Sequence, residues 1–385
     1  MSPSLVRIAF YAPMKPPDHP TPSGDRRVAR LLMMALERAG CAVDPASRLR
    51  SWEGQGDPAR QAHIQSQAEA EVERLCQLYE AKPALRPELW FSYHLYYKAP
   101  DLVGPAVASR LSIPYIVAEA SVAPKRRVGP WARWHASLEP ALAQAAAVIT
   151  LNPEDMECLP DQAKLHPLSP FLDATPYRQA ADARGVNRRD LAERTGFSIT
   201  EPWILAVGMM REGDKMQSYR SLAAALSPLQ DRPWHLLICG DGPARQEVEG
   251  LFHAFSAKRI CFLGRQAERD LPAIYSACNL MVWPGIREAF GMALLEAQAA
   301  GLPVISAARP GIAAIVRDGG TGLLCGEGEE AALSRATRAL LEDPSRRDRM
   351  GRAALSNVAE AHDLPIAAQS LGALVRDILG RGSTI

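Results

Sequence analysis

No stretch of the chain approaches about 18 uninterrupted apolar residues, so no transmembrane helix is expected. The longest candidate, residues 141–151, is too short and contains Gln144. The opening MSPSLVRIAFYAP has one Arg, an apolar run of strand length closed by Pro13, and no small-residue cleavage site, so no signal peptide is expected. C-x-x-C pairs are missing. The seven cysteines (41, 76, 158, 239, 261, 278, 325) stand apart, several of them inside apolar runs, as buried thiols in a reducing cytosol would. A dominant charge is missing too: 44 Lys+Arg against 43 Asp+Glu leaves +1, so no global field draws nucleic acid. No G-x-G-x-x-G follows a strand, and GDGPAR lacks the third glycine and has Pro243 where a helix starts. That argues against a dinucleotide-dependent oxidoreductase. There is no tandem repeat.

What is present is a chain of 385 residues, room for two to three domains at about 150 residues each. Hydrophobic residues make up 47%, enough for a full core, and the 31 prolines fall where elements must stop. Short apolar runs alternate with helical patterns. VRIAFY, CAVDPAS, ELWFSYH, PYIVAEA and AVITLN read as strands in the first half. WILAVG, WHLLICG, RICFLG, NLMVWP, PVISA and GLLC read as strands in the second. Helices are expected over 28–39, 57–82, 218–230, 243–256, 268–277, 291–300, 329–342 and 345–361. Continuous apolar strands alternating with helices imply parallel sheets covered on both faces.

The stretch 170–200, with Pro170, Pro176, a basic run and Pro202, breaks the rhythm and reads as the boundary. The expectation is therefore an α/β chain of two tandem doubly wound Rossmann-like domains facing a cleft. Residues 1–180 form the N-terminal domain and 200–360 the C-terminal one. A last helix within 361–385 packs back on the first. Doubly wound sheets bind ligands at the carboxyl ends of their strands.

The densest signal lies at 287–307. Strand NLMVWP ends at Pro284, a loop carries Glu288, and Phe290-Gly291 opens a helix that Gly301 and Pro303 terminate. The N–H groups around Gly291, Met292 and Ala293 make a seat for phosphate. Glu296, one turn into that helix, leans back toward the same end, where a carboxylate accepts from a ribose diol. This reading needs both Glu288 and Glu296 within reach of a solute.

The run E-A-F-G-M-A-L-L-E-A-Q-A-A-G-L-P-V-I resembles the E-x7-E signature of glycosyltransferase family 4, retaining sugar transferases of GT-B fold. LAVG at 205–208 with Lys215, LLICGDGP, FLGRQAERDLPAIYSACNLMVWP and the N-terminal loop PTPSGDRRVARLL resemble further pieces of that family, in order. The resemblance covers nearly the whole chain, most strongly 203–325. It implies that Glu296 holds the nucleotide ribose and that Glu288 holds hydroxyls of the donor sugar. Backbone N–H groups at Phe290, Gly291 and Met292 would lie near sugar and phosphate, Gly208 in the phosphate segment, and Gly24 in the loop facing the donor. Lys215 would neutralise the diphosphate. The family chemistry is a same-face substitution, with no cofactor beyond the nucleoside-diphosphate sugar itself. The lack of a D-x-D tripeptide agrees with a metal-independent site.

Two departures from the family stand out. Met209 occupies the position of the family's arginine, and Arg211 either replaces it or is a solvated loop charge. The family's histidine near the end of the fourth strand is absent, PYIVAEAS offering Glu119 and Ser121. His94, at a strand end beside Tyr93, Tyr96, Tyr97 and Lys98, is either a cleft residue of the catalytic set or a satisfied core histidine. Lys125, Arg126, Arg127, Trp131, Arg133 and Trp134 form a basic aromatic segment. It suits anionic lipid headgroups or a phosphate-bearing acceptor, and equally a solvated loop.

Expected partners are a nucleotide sugar and a glycan, lipid-linked or small-molecule acceptor, with no nucleic acid. The expected location is cytoplasmic, with peripheral contact at the inner membrane face as an option. A non-catalytic sugar-nucleotide-binding relative remains the other reading.

Overall fold

The computed structural model describes residues 5–21, 23–159 and 164–380. The chain divides into two compact units, Met1–Ser169 with Leu364–Ile385, and Pro170–Asp363.

The first unit runs β1 (Val6–Tyr11), α1 (Gly24–Arg38), β2 (Cys41–Pro45), α2 (Pro58–Ala81), β3 (Leu89–Tyr96), α3 (Gly104–Leu111), β4 (Tyr115–Ser121), α4 (Ala132–Gln144), β5 (Ala147–Thr150), the single turn α5 (Pro153–Met156) and β6 (Leu165–Pro167). Its strands pair in parallel in the order β2-β1-β3-β4-β5-β6. Ile8, Phe10, Trp90, Phe91 and Ile116 are fully buried, as expected of strands covered on both faces. Ser23 caps α1 by accepting from the amide of Arg26 at 3.2 Å, so the helix starts four residues before the apolar pattern at Val28.

The second unit holds α6 (Thr175–Asp182), α7 (Arg184–Thr195), β7 (Trp203–Val207), α8 (Asp214–Leu226), β8 (His235–Cys239), α9 (Arg245–Gly250), β9 (Ile260–Gly264), α10 (Leu271–Ala277), β10 (Leu280–Val282), α11 (Met292–Ala299), β11 (Val304–Ala307), α12 (Pro310–Ala313), β12 (Gly322–Cys325), α13 (Glu330–Glu342) and α14 (Pro344–Ala361). Its parallel sheet has the order β12-β11-β10-β7-β8-β9. In each sheet the order reverses once, between β1 and β3 in the first unit and between β7 and β10 in the second. Doubly wound sheets take ligands at such reversals, beyond the strands' carboxyl ends.

The stretch 170–200, read from sequence as a boundary, holds α6 and α7, both packed on α10. Two arginines of its basic run reach the end of that helix. Arg188 donates to the carbonyls of Ala277 at 2.7 Å and Glu201 at 2.5 Å and lies 4.1 Å over the Trp203 ring. Arg184 donates to the Cys278 carbonyl at 2.5 Å. Cationic side chains satisfy the last carbonyls of a helix in this way.

The final helix, α15 (Leu364–Ile378), packs on α1. Gly372 permits the approach, since a Cβ there would stand 2.9 Å from that of Ala39. Of the thiols expected to be buried, Cys41, Cys76, Cys239 and Cys278 are. Cys261 and Cys325 are half-buried and Cys158 is exposed, because the turn after α5 leaves it at the surface. Among the described residues no helix is long and apolar enough to cross a membrane.

Candidate functional site

The reversal between β7 and β10 brings together two residues that lie 73 positions apart in the chain. Beyond β7 the chain passes Gly208 and turns at Gly213 (φ 80°) into α8, which carries Lys215 in its first turn. Beyond β10 it runs through Trp283 and a loop with three left-handed residues: Gly285 (φ 64°), Arg287 (φ 49°) and Gly291 (φ 68°). Gly291 caps α11. A side chain there would be strained by the φ and would press on Leu294 at 3.0 Å.

Lys215 Nζ donates to Glu288 Oε2, and the Trp283 indole N–H donates to the same oxygen at 3.3 Å. The ammonium also lies 5.3 Å from the centre of the Trp283 ring. The two charged side chains are 16% and 21% exposed, half-sheltered but open to a solute. Next to this pair, the amides of Phe290, Gly291 and Met292 meet no acceptor among the described residues. These are the orphan N–H groups of a helix start, the donors an anion needs.

Sequence reasoning missed the brace behind Glu288. Arg309, just past β11, donates Nε to the Glu288 carbonyl at 3.3 Å and pairs with Glu327 at 2.7 Å. Glu327 in turn accepts from the Arg287 amide at 2.9 Å. That amide bond, followed by the Arg309 pairing, holds the Glu327 carboxyl below its ordinary range. Only the loop's fold reveals this ring, since its bonds span 21, 18 and 40 positions of the chain.

The other expected site residues are placed differently. Glu296 is 3% exposed, so its carboxylate is covered in this structure and lacks the access the ribose reading needs. Gly208 is committed internally. Its amide donates to the Cys239 carbonyl at 3.0 Å, its carbonyl accepts from Tyr219 at 2.7 Å, and a Cβ would stand 2.6 Å from the Trp283 ring. Its place is close packing. Arg211 and Met209 are exposed on the loop after β7, Met209 at 45%.

The first unit has a cluster at its own reversal. His94, near the end of β3, has a left-handed backbone (φ 64°), and its Nδ1 lies 3.1 Å from Asp25, in the first turn of α1 directly after Gly24. Glu119, near the end of β4, is left-handed as well (φ 59°) and accepts from the Leu151 amide at 2.5 Å. Of four non-glycine residues in this conformation among those described, three (His94, Glu119 and Arg287) fall in these two sites. Such backbone is costly and concentrates where function needs it.

Burial pushes the Glu119 carboxyl up to about 7, against the Leu151 hydrogen bond and the His94 charge. Burial pulls the His94 imidazole down, but the hydrogen bond and charge of Asp25, with the charges of Glu119 and Asp155, outweigh it and hold it above its ordinary value. His94 is thus tied to the start of α1 and is no isolated core histidine.

Residues 187–356 match the model of the family described as Glycosyl transferases group 1. This segment is a group 1 glycosyl transferase domain. It carries Lys215, Glu288, Glu296 and the α11 start. The chain is 28% identical over 258 residues to alpha-D-kanosaminyltransferase of Streptomyces kanamyceticus, covering 65% of this chain and 64% of that one. It is 32% identical over 208 residues to D-inositol 3-phosphate glycosyltransferase of Nocardia farcinica, covering 52% of this chain and 44% of that one. The matches thus span less than two thirds of those relatives' lengths.

Among solved structures, a glycosyltransferase from Rickettsia africae superposes with a TM-score of 0.77 at 14% identity, over 99% of this chain and all of that one. Sucrose-phosphate synthase from Thermosynechococcus elongatus gives 0.72 at 21% identity, over 97% and 99%. The fold of this chain is accordingly of GT-B type, two Rossmann-like α/β units.

Proposed function

We propose that this protein is a glycosyltransferase that moves a sugar from a nucleoside-diphosphate sugar to an acceptor, with retention at the anomeric carbon. The observation that carries the reading is the Lys215–Glu288 pair at the β7/β10 reversal, set against the free amides that open α11. In the free protein the two charges satisfy each other. A bound donor exchanges both. Diphosphate oxygens take the Lys215 ammonium and the Phe290–Met292 amides, while sugar hydroxyls take the Glu288 carboxylate. As the glycosidic bond breaks, negative charge grows on the departing phosphate, and a cation and a helix start already aimed there stabilise it. In the same-face route the leaving phosphate also takes the acceptor's proton.

The Glu296–ribose contact belongs to this reading only if the covering over α11 opens as the nucleotide enters. The exposed Met209, where an arginine stands in the family, favours the second reading, a binding-only relative. Release of UDP or GDP from nucleotide sugars with an acceptor extract separates the two. The expected result is release by wild type, near-complete loss in Glu288→Gln, and a drop of about 10²–10³ in turnover for Lys215→Ala. Identical traces for wild type and Glu288→Gln would leave only the binding reading. Unchanged kinetics for Lys215→Ala would remove its diphosphate role.

A further inference from the structure

The basic aromatic segment singled out in the sequence takes a definite form in the first unit. The Tyr97 and Trp131 rings meet edge to face, 5.6 Å between centres. Two cations lie against this pair of rings. Lys98 Nζ is 5.1 Å from the Trp131 ring and 5.9 Å from that of Tyr97, and the Arg126 guanidinium is 4.9 Å and 5.2 Å from the same two. The chain continues through Tyr96, which packs on Tyr97 at 5.5 Å, and the Trp52 side chain neighbours the Tyr96 hydroxyl. Trp52 is 46% exposed. Gly54 leaves it room, since a Cβ there would stand 2.8 Å from its ring.

Neither Lys98 nor Arg126 has a carboxylate partner among the described residues, and Arg126 Nε is buried without an acceptor. The adjacent charges do not fill the gap. Arg127 is neutralised by Glu139 at 3.0 Å. The carboxylate of Glu53, whose backbone touches both Lys98 and Trp131, is spent on the amides of Gln55, Gly56 and Asp57. Two like charges gathered on one pair of rings, one of them with an orphaned donor, lack a counter-charge among the described residues. Aromatic faces beside them suit the apolar face of a sugar or polyol ring.

We infer that Lys98, Arg126, Tyr97, Trp131 and Trp52 form a binding site for a ring-borne phosphate, that of a soluble sugar or polyol phosphate or of a phosphorylated lipid headgroup. A guanidinium and an ammonium together match a phosphate's oxygens. Calling that molecule the acceptor rests on the glycosyltransferase reading; the site itself rests on the geometry of the first unit.

Titration calorimetry of the full chain with inorganic phosphate, glucose 6-phosphate, myo-inositol 1-phosphate and unphosphorylated glucose tests it. At least one ring phosphate is expected to bind, about tenfold or more tighter than glucose, and to weaken about tenfold in Arg126→Gln and in Lys98→Met. Arg126→Lys is expected to keep most of the binding, and the exposed Arg133→Ala all of it. Co-sedimentation with phosphatidylcholine vesicles carrying phosphatidylinositol 4-phosphate identifies the lipid source, if that arm alone binds. Equal sedimentation with phosphatidylserine vesicles would mean a nonspecific charged surface and overturn the proposal. So would failure of every phosphate to bind. If nucleotide release persists while no phosphate binds, the site fails and the glycosyltransferase reading stands. The opposite result sinks that reading and leaves the site.

Discussion

Glu119 shows what a single buried carboxyl does to the pH response. Burial raises it from 4.5 to about 7, so between those values the folded chain holds a proton that the unfolded chain has released. The folded state binds the extra proton, and stability therefore falls as pH rises through that window. His94, also held above its ordinary value, adds a loss in the same direction at higher pH. The stabilisation is complete below the unfolded carboxyl's value and gone above about 7. Melting temperatures of wild type and Glu119→Gln, taken between about pH 4 and about pH 8, should show wild type losing ground to the variant as pH rises. A constant difference would mean that Glu119 titrates normally. The sequence offered Glu119 only as a stand-in for a missing histidine. Its burial, and its place near His94, came from strand order.

The loop between β10 and α11 is the element on which the donor reading turns. Three left-handed residues shape it, and the Arg309–Glu327 pair braces it through the Glu288 carbonyl and the Arg287 amide. The brace contacts backbone and leaves the Glu288 carboxylate free to face Lys215, so its loss should misplace the carboxylate without removing it. Glu327→Ala is expected to lower kcat for nucleotide-sugar turnover by about tenfold or more, with KM moving less, because a displaced catalytic group costs transition-state alignment first. Glu327→Gln, which still accepts from the Arg287 amide, should recover part of the loss. Equal kinetics in all three proteins would show that the loop holds its shape unaided. The helix that follows was legible from its glycine, its E-x7-E spacing and Pro303. The brace was not, because nothing in local sequence links position 309 to 288.

At the scale of the molecule, the chain leaves its second unit to finish on the first. Leu172 bonds the His362 carbonyl at 3.0 Å, and Arg178 pairs with Asp363 at 2.5 Å, tying the entering strand to the departing one. Then α15 returns to cover α1, with Ser370 and His166 joined at 2.9 Å. Leu371 and Val375 are buried there. Removing residues 364–385 should expose that apolar face of α1. Proteolysis within residues 1–169 is expected to quicken markedly, while residues 170–363 keep their resistance. Uniform cleavage of both halves, or of neither, would refute this division of stability.

The alternation of apolar runs and helical patterns determined by itself that the chain makes parallel α/β sheets. Strand-long stretches such as VRIAFY and WILAV have too few polar positions to face water. The glycine and the proline of 287–307 likewise marked where a helix starts and ends, because backbone constraints act over a few residues. Only the tertiary structure decided which charges meet. It set Lys215 on Glu288, covered Glu296, turned Gly208 to packing, and gathered Lys98 and Arg126 on one pair of rings. Those outcomes follow from strand order and burial, which join residues far apart in the chain and which no local pattern encodes.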